Sequence, residues 1–405
     1  MHHLIDDDNP AIVQRQRPVM PRHLRGVLSL EDCERRARRR LPRFIHGYIA
    51  GGVETNASLQ ANQDDFKAVP LVPRILRDVS ARSLKSQLFG RPVALPFGIA
   101  PMGFSALAAF DGDVALARGA TAAGSFSICS AASLTPLERV AAQGGSTWFQ
   151  AYVPGDKARI TALLNRVAAA GFDHLVITGD VPVAGNRENN IRNGFDAPFS
   201  ITPQLLWQGA THPRWTIGTL AREIATRGMP HFENMEGKRG PPLFSRHLTR
   251  STVARDRLDW AHLAFIRDNW AGKLVLKGVL HPGDALSAQD HGCDGIIVSN
   301  HGGRQLDGAL SALAALPAIR AAVPQMTVMI DGGIRRGTDV IKAIMLGADF
   351  VFVGRPFLFA AATDGEAGVL HAMRLLAAEI DRDMAMLGLS SPWQARPSAA
   401  TDPVI

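Results

Sequence analysis

Cysteine is scarce in this sequence: Cys33, Cys129 and Cys293 are the only three among 405 residues. No pair has the spacing of a zinc site, and three scattered thiols cannot build the dense framework of a small secreted domain. A reducing, cytoplasmic setting is the expectation, and no metal site is expected. Long apolar runs are also missing. The least polar stretch, Ala94 to Phe110, is broken by Pro96 and Pro101, so no membrane-spanning helix is expected. The first residues, among them His2, His3, Asp6, Asp7 and Asp8, lack the apolar core of a secretory leader. Tyrosine occurs twice, at Tyr48 and Tyr152. Acidic residues fall short of basic ones, 37 against 44, for a net charge of +7. That excess suits an anionic small molecule or an anionic membrane surface. No nucleic-acid motif accompanies it, and no nucleic-acid partner is expected. The densest basic run, Glu34 to Arg40, reads as a solvated helix face.

What the chain does contain is a repeat of pattern. From about residue 92 a short apolar run, a polar or glycine-bearing turn and a helical stretch recur. The runs are Phe97–Met102, Ser125–Ser130, Thr147–Tyr152, His174–Thr178, Lys273–Lys277, Gly295–Ser299, Thr327–Ile330 and Phe350–Val353. Between them lie amphipathic segments such as Asp156–Ala170, Arg255–Trp270, Pro282–His291 and Gly337–Leu346. Alternating βα units imply a parallel sheet covered by helices, and eight of them imply an α/β fold of the (β/α)8 TIM-barrel type. An open doubly wound sheet is the alternative, but no Gly-x-Gly-x-x-Gly follows an early strand. The expected organisation is an N-terminal helical arm and lead-in over 1–91, a barrel over 92–390, and a C-terminal tail over 391–405. The barrel carries an insertion over 183–254, after strand four, that is too long for an ordinary βα loop.

Catalytic groups of such barrels sit at the C-terminal ends of the strands. Here those ends carry Ser130, Gln150 with Tyr152, Thr178 with Asp180, Lys277, Ser299 with His301, Asp331, and Arg355. The segment Ser299-Asn300-His301-Gly302-Gly303-Arg304 is the most telling. An arginine can clamp a carboxylate through two parallel hydrogen bonds, and a histidine three residues earlier can take a proton from the group beside it. Asp331-Gly332-Gly333-Ile334-Arg335 and Gly354-Arg355-Pro356 follow strands seven and eight, the usual place for a phosphate in this fold. From the residues alone, any phosphorylated substrate or cofactor would suit those turns.

The ordered motifs resemble the FMN-dependent 2-hydroxy acid dehydrogenase and oxidase family. They are Arg40-Leu41-Pro42 with Tyr48 and Gly51-Gly52, Gly98-Ile99-Ala100-Pro101, Phe149-Gln150-Ala151-Tyr152, and Ile177-Thr178-Gly179-Asp180. They continue with Leu276-Lys277-Gly278-Val279, the His301/Arg304 signature, Asp331-Gly332-Gly333 and Gly354-Arg355-Pro356. The resemblance implies that Ala100, Pro101, Met102, Ser130, Gln150, Thr178, Lys277, Ser299, Asp331, Gly333, Arg335, Gly354 and Arg355 hold FMN. It also implies that Tyr48, Arg187, Arg304 and Tyr152 bind a 2-hydroxy acid. His301 would be the base, Asp180 its partner, Tyr152 the contact to the substrate hydroxyl, and Lys277 a cation at the flavin N1/O2 edge. It further implies a homotetramer and, for some members, an acceptor in the respiratory chain. Three positions depart from glycolate oxidase-like members: Ala132 replaces Trp, Ile49 replaces a second Tyr, and Met102 replaces Thr. Loss of the Trp implies room for a larger or more apolar side chain. Gly103 stands where oxidases often carry Ala, which favours a dehydrogenase over an oxygen-using oxidase. A family member that oxidises an amine or peptide-derived substrate in cofactor maturation is the other alternative. An isomerase using reduced FMN would share the phosphate loops but lack the His301/Arg304 pair.

Residues 201–232 carry Trp207, Trp215, Leu220 and Ile224 interleaved with Arg214, Arg222 and Arg227. Two readings stand. One is peripheral contact with the inner face of the cell membrane, as in the insertions of bacterial lactate and mandelate dehydrogenases. The other is a lid or subunit contact.

Overall fold

The structure is a computed structural model that describes residues 21–145, 147–195, 202–243, 245 and 255–396. The polar residues at the start of the chain, and the parts of the insertion at 196–201 and 246–254, lie outside the described residues.

After a 3-10 turn at Arg22–Leu24 come three α-helices: α1 (Leu30–Arg40), α2 (Arg43–Ala50) and α3 (Ala57–Ala68). Helix α1 begins where Ser29 and Asp32 form a reciprocal capping box. Its apolar stripe, Leu30, Cys33 and Ala37, is buried, and it packs on the long C-terminal helical segment Arg355–Leu387. The basic run on α1 is only partly solvated. Arg35 is exposed, but Arg40 donates to the Thr363 carbonyl at 3.0 Å. A short antiparallel hairpin, β1 (Ser86–Leu88) and β2 (Arg91–Val93), precedes the barrel.

Eight parallel strands follow: β3 (Phe97–Ile99), β4 (Ile128–Ser130), β5 (Trp148–Ala151), β6 (His174–Thr178), β7 (Lys273–Val279), β8 (Gly295–Val298), β9 (Thr327–Asp331) and β10 (Phe350–Val353). They pair in sequence order. β10 returns to β3, and a parallel bridge from Ile99 to Ser127 closes the ring against β4. This is the (β/α)8 barrel. Every strand is short and almost wholly buried, because one face meets the barrel interior and the other meets helices. The interior is filled by Phe126, Trp148, Val176, Val275, Ile297, Met329, Phe350 and Phe352, a packed core and not a pore.

The sequence placed all eight strands, with ends shifted by up to three residues. One helix differs more. The segment expected to be helical over 255–270 is a 3-10 turn, Arg255–Arg257, followed by the helix Trp260–Asp268. Asp259 explains the break, because its side chain accepts from the His262 amide at 3.1 Å and caps a new helix there.

The insertion is largely helical where it is described, with segments Glu188–Asn193, Pro203–Thr211, Pro213–Trp215 and Arg222–Arg227. Trp215, expected at the surface, is instead 3% exposed and donates its indole N–H to the Leu107 carbonyl at 2.7 Å. Leu220 is half-buried beside it. The turn of helix that carries them faces the barrel. The outward face presents Leu206, Trp207 and Ile217, which are 64%, 71% and 69% exposed.

Candidate active site

The strand C-termini open into one cavity of about 560 Å³. Its floor and one end come from the loops after β3, β9 and β10; its roof comes from α2 and from the insertion. Most of the residues expected to bind or react line it: Tyr48, Ala100, Pro101, Met102, Gln150, Tyr152, Thr178, Arg187, Lys277, His301, Arg304, Asp331, Gly333, Arg335, Gly354 and Arg355. Ser130, Asp180 and Ser299 do not. Each stands one step behind and holds a residue that does. Ser130 donates to the Gln150 side-chain oxygen at 2.7 Å, and Gln150 in turn donates to the Thr178 hydroxyl at 2.9 Å. Ser299 accepts from the Lys277 ammonium at 2.7 Å.

Asp180 lies 3.0 Å from His301 Nδ1. An ionised carboxylate only accepts, so Nδ1 carries the proton and Nε2 is left as the acceptor on the cavity side. Tyr152 Oη is 3.4 Å from that Nε2. Burial pushes the His301 pKa below its ordinary value, while Asp180 pulls it back up. Burial opposes ionisation of Asp180, but His301 and Lys277 outweigh it and keep the carboxyl below its usual range. The site therefore rests with a neutral imidazole backed by a carboxylate, the resting form of a general base. Burial raises the Tyr152 phenol, so it stays protonated and able to donate. His301 itself sits at φ +58, a left-handed conformation that few side chains adopt, and its amide donates to the Ser299 hydroxyl at 3.0 Å.

Arg304 lies with its guanidinium carbon 4.8 Å from the Tyr48 ring centre. Its Nη1 donates to the Tyr48 and Gly51 carbonyls, each at 2.7 Å, which leaves other N–H groups of the fork for a ligand. Burial and the Arg187 charge bring its pKa down to about 10, so it remains a cation at neutral pH. Arg187 does reach the cavity, but its guanidinium donates to the Arg304 carbonyl at 3.0 Å and to the Gln305 side chain. It buttresses the Arg304 loop.

The residues at the other end fit a flavin phosphate and ring. Burial drives Arg355 well below its ordinary pKa, and the neighbouring Arg304 and Arg335 charges push the same way. Such a group of buried cations favours an anion among them. Gly333 lies at φ +85, and a Cβ there would stand 1.8 Å from the Asn62 carbonyl oxygen, so only glycine allows this turn to present its backbone N–H groups. Lys277 is 3.1 Å from Asp331 Oδ2, while Asp331 Oδ1 is buried with no hydrogen-bond partner, as suits a carboxylate that meets ligand hydroxyls. Burial works against the Lys277 charge, yet Asp331 and Asp180 raise its pKa, so it stays an ammonium.

Sequence reasoning missed the outer wall. Phe104 and Val181 line the cavity, as do Ala184, Phe232, Met235, Lys238 and Arg239 from the insertion and Arg255 just past it. A strap around Asn234 is pinned down because Asn234 accepts from the Leu137 amide at 2.8 Å and donates to the Thr135 carbonyl at 2.7 Å. No period or motif marks these residues; only the fold brings them to the site. Among the described residues there is no cluster suited to a metal ion.

Comparison with known proteins agrees with this geometry. A family model described as FMN-dependent dehydrogenase matches residues 37–402. The L-lactate dehydrogenase of Pectobacterium atrosepticum is 40% identical over 370 residues, covering 90% of this chain and 94% of its own. A putative L-lactate dehydrogenase of Mycobacterium tuberculosis is 38% identical over 400 residues, covering 97% and 94%. Among solved structures, a (S)-mandelate dehydrogenase described as a monotopic membrane protein superposes with a TM-score of 0.83 at 34% identity, over 92% of this chain and 98% of that one. A mandelate oxidase with benzoyl-formic acid superposes with a TM-score of 0.76 at 36% identity, over 91% and 97%. With the barrel, the phosphate turns and the His301–Asp180 pair in place, the chain belongs to the FMN-dependent dehydrogenase family and takes FMN as its cofactor.

Proposed function

We propose that this protein is a dehydrogenase that oxidises an L-2-hydroxy acid to the 2-oxo acid at FMN, passing the electrons to an acceptor other than oxygen. The observation that carries the reading is His301, with Nδ1 3.0 Å from Asp180 and Nε2 3.4 Å from the Tyr152 hydroxyl, in one cavity with Arg304 and the phosphate turns. Ala100, Pro101, Met102, Gln150, Thr178, Lys277, Asp331, Gly333, Arg335, Gly354 and Arg355 would hold the cofactor, with Ser130 and Ser299 behind them. Bound FMN supplies the two-electron sink. Arg304 clamps the substrate carboxylate, with the Tyr48 hydroxyl beside it and Arg187 bracing the loop. Tyr152 donates to the substrate hydroxyl oxygen. His301 Nε2 takes the proton, and Asp180 stabilises the imidazolium that results.

The substrate side chain would meet Phe104, Ala132, Val181 and Met235, an apolar wall with no large ring at position 132. This supports an acid larger than glycolate. Peripheral membrane binding and an acceptor in the respiratory chain belong to the same reading. They are supported by the exposed Leu206, Trp207 and Ile217 beside exposed Arg214, and by likeness to a monotopic mandelate dehydrogenase. Among the described residues no helix is long and apolar enough to cross a membrane. A homotetramer completes the reading; Ile75 and Leu76, 83% and 99% exposed, give a second copy an apolar surface to cover, and light scattering would measure the mass.

The test is anaerobic. The flavin of the purified holoenzyme is watched while L- or D-forms of lactate, mandelate and longer 2-hydroxy acids are added. Bleaching by an L-acid and not its mirror image is expected, with slow return of colour on readmitting air. No bleaching by any acid, with FMN bound, would overturn the reading and bring amine oxidation forward.

A further inference from the structure

The cavity wall holds one more cation, Arg255, which stands just past the insertion and against the phenol of Tyr152. Arg255 opens the 3-10 turn Arg255–Arg257, where the insertion returns to the barrel. The Leu258 amide donates to its carbonyl at 3.2 Å, and Asp259 caps a helix immediately after, so the turn is fixed on the side that leads into the barrel. The side chain is 6% exposed, lines the cavity, and holds its guanidinium carbon 4.7 Å from the centre of the Tyr152 ring. Burial lowers its pKa, and Tyr152 opposes that shift. An arginine so placed keeps its charge at neutral pH.

We infer that Arg255 is a positioning residue for the oxidation: its cation, seated on the face of Tyr152, fixes the ring and makes the phenol a stronger hydrogen-bond donor to the substrate oxygen. A cation on the ring face is attracted to the aromatic quadrupole and favours electron density moving into the ring from the oxygen. The phenol O–H is then more polarised. A neutral substrate hydroxyl gains little from this. An oxygen that gathers negative charge while His301 takes the proton gains more, so the effect falls on the transition state more than on binding. Arg255 is not alone around the phenol. Asp180 and Tyr48 act to raise the Tyr152 pKa, and Arg187 and Lys277 act to lower it. Arg255 differs from those two cations in its direct contact with the ring. The role rests on the proposed hydroxy acid oxidation, but its effect on the phenol does not.

The chain's scarcity of tyrosine makes that effect measurable. Holoenzyme labelled with 13Cζ-tyrosine should give two phenol signals, from Tyr48 and Tyr152, with Tyr152→Phe assigning them. In Arg255→Met, which keeps length and removes charge, the Tyr152 signal should titrate about one pH unit higher than in the wild type. Arg255→Lys should restore most of the difference, and Arg255→Gln repeats the test should the Met variant not fold. In turnover, Arg255→Met should lower kcat about tenfold with KM changed less than twofold, and should cost nothing further in a Tyr152→Phe background. An unmoved Tyr152 titration would overturn the proposal. So would an equal kcat loss with and without the phenol. A wild type that no hydroxy acid reduces would instead sink the proposed reaction, and the titration would still report on Arg255.

Discussion

At the scale of single residues, the His301–Asp180 pair sets the pH dependence. His301 must be neutral to accept a proton, and burial holds its pKa below the ordinary histidine value. The acid limb of kcat/KM is therefore expected below about 6.5, with activity lost as pH falls through the His301 pKa. Asp180 is the group that raises that pKa. Asp180→Asn should move the acid limb to still lower pH, because neutral His301 then resists protonation further. It should also lower kcat at least about tenfold, because the imidazolium loses its counter-charge. A pH-rate profile of both proteins checks the direction; a limb that moves upward would contradict it. Ala132 tests the substrate wall. A Cβ added at Gly103 would stand 2.8 Å from the Ala132 Cβ, so nothing large separates the loops after β3 and β4. Ala132→Trp should cut kcat/KM for aryl or long-chain acids by about tenfold or more while sparing glycolate and lactate. Equal losses across a series of acids would show that the wall does not select.

Among the elements, the turn after β9 decides cofactor retention. Gly333 is held at φ +85 against the Asn62 carbonyl, and that backbone has no room to move aside. Gly333→Ala should give a protein that binds FMN at least about tenfold more weakly and purifies pale. Flavin content by absorbance, with far-ultraviolet dichroism to confirm the barrel, reads the outcome. Full yellow colour would contradict it. This turn was legible in the sequence, as were the eight strands, because buried parallel strands read as apolar runs and phosphate turns need glycine. The His301/Arg304 spacing was legible for the same kind of local reason. The outer wall was not. Phe232 and Met235 reach the cavity through an insertion whose path depends on tertiary anchors such as Asn234 on Leu137 and Thr135, and Trp215 on Leu107. Trp215 looked like interfacial surface because sequence shows which residues are apolar but not which face of a short helix turns inward. The start of the helix at Trp260 was missed because Asp259 caps it within an otherwise continuous helical pattern.

For the whole molecule, the barrel fixes the chemistry at one end and the insertion sets what surrounds it. If the insertion also meets a membrane, the exposed Leu206, Trp207 and Ile217 are its contact. Replacing all three with serine should weaken co-sedimentation with anionic vesicles at least about tenfold and leave anaerobic flavin reduction unchanged, since none of them lines the cavity. Unaltered sedimentation would move the contact elsewhere. In the proposed reaction the holoenzyme removes a proton from an L-2-hydroxy acid with His301 as cofactor reduction proceeds. Stopped-flow absorbance of a single anaerobic turnover, comparing wild type with His301→Gln at saturating substrate, tests it directly. The expected result is an oxidised flavin that stays bound in the variant but is reduced at least about a hundredfold more slowly. Reduction at the wild-type rate would contradict the assignment of the base, and with it the mechanism built on the site.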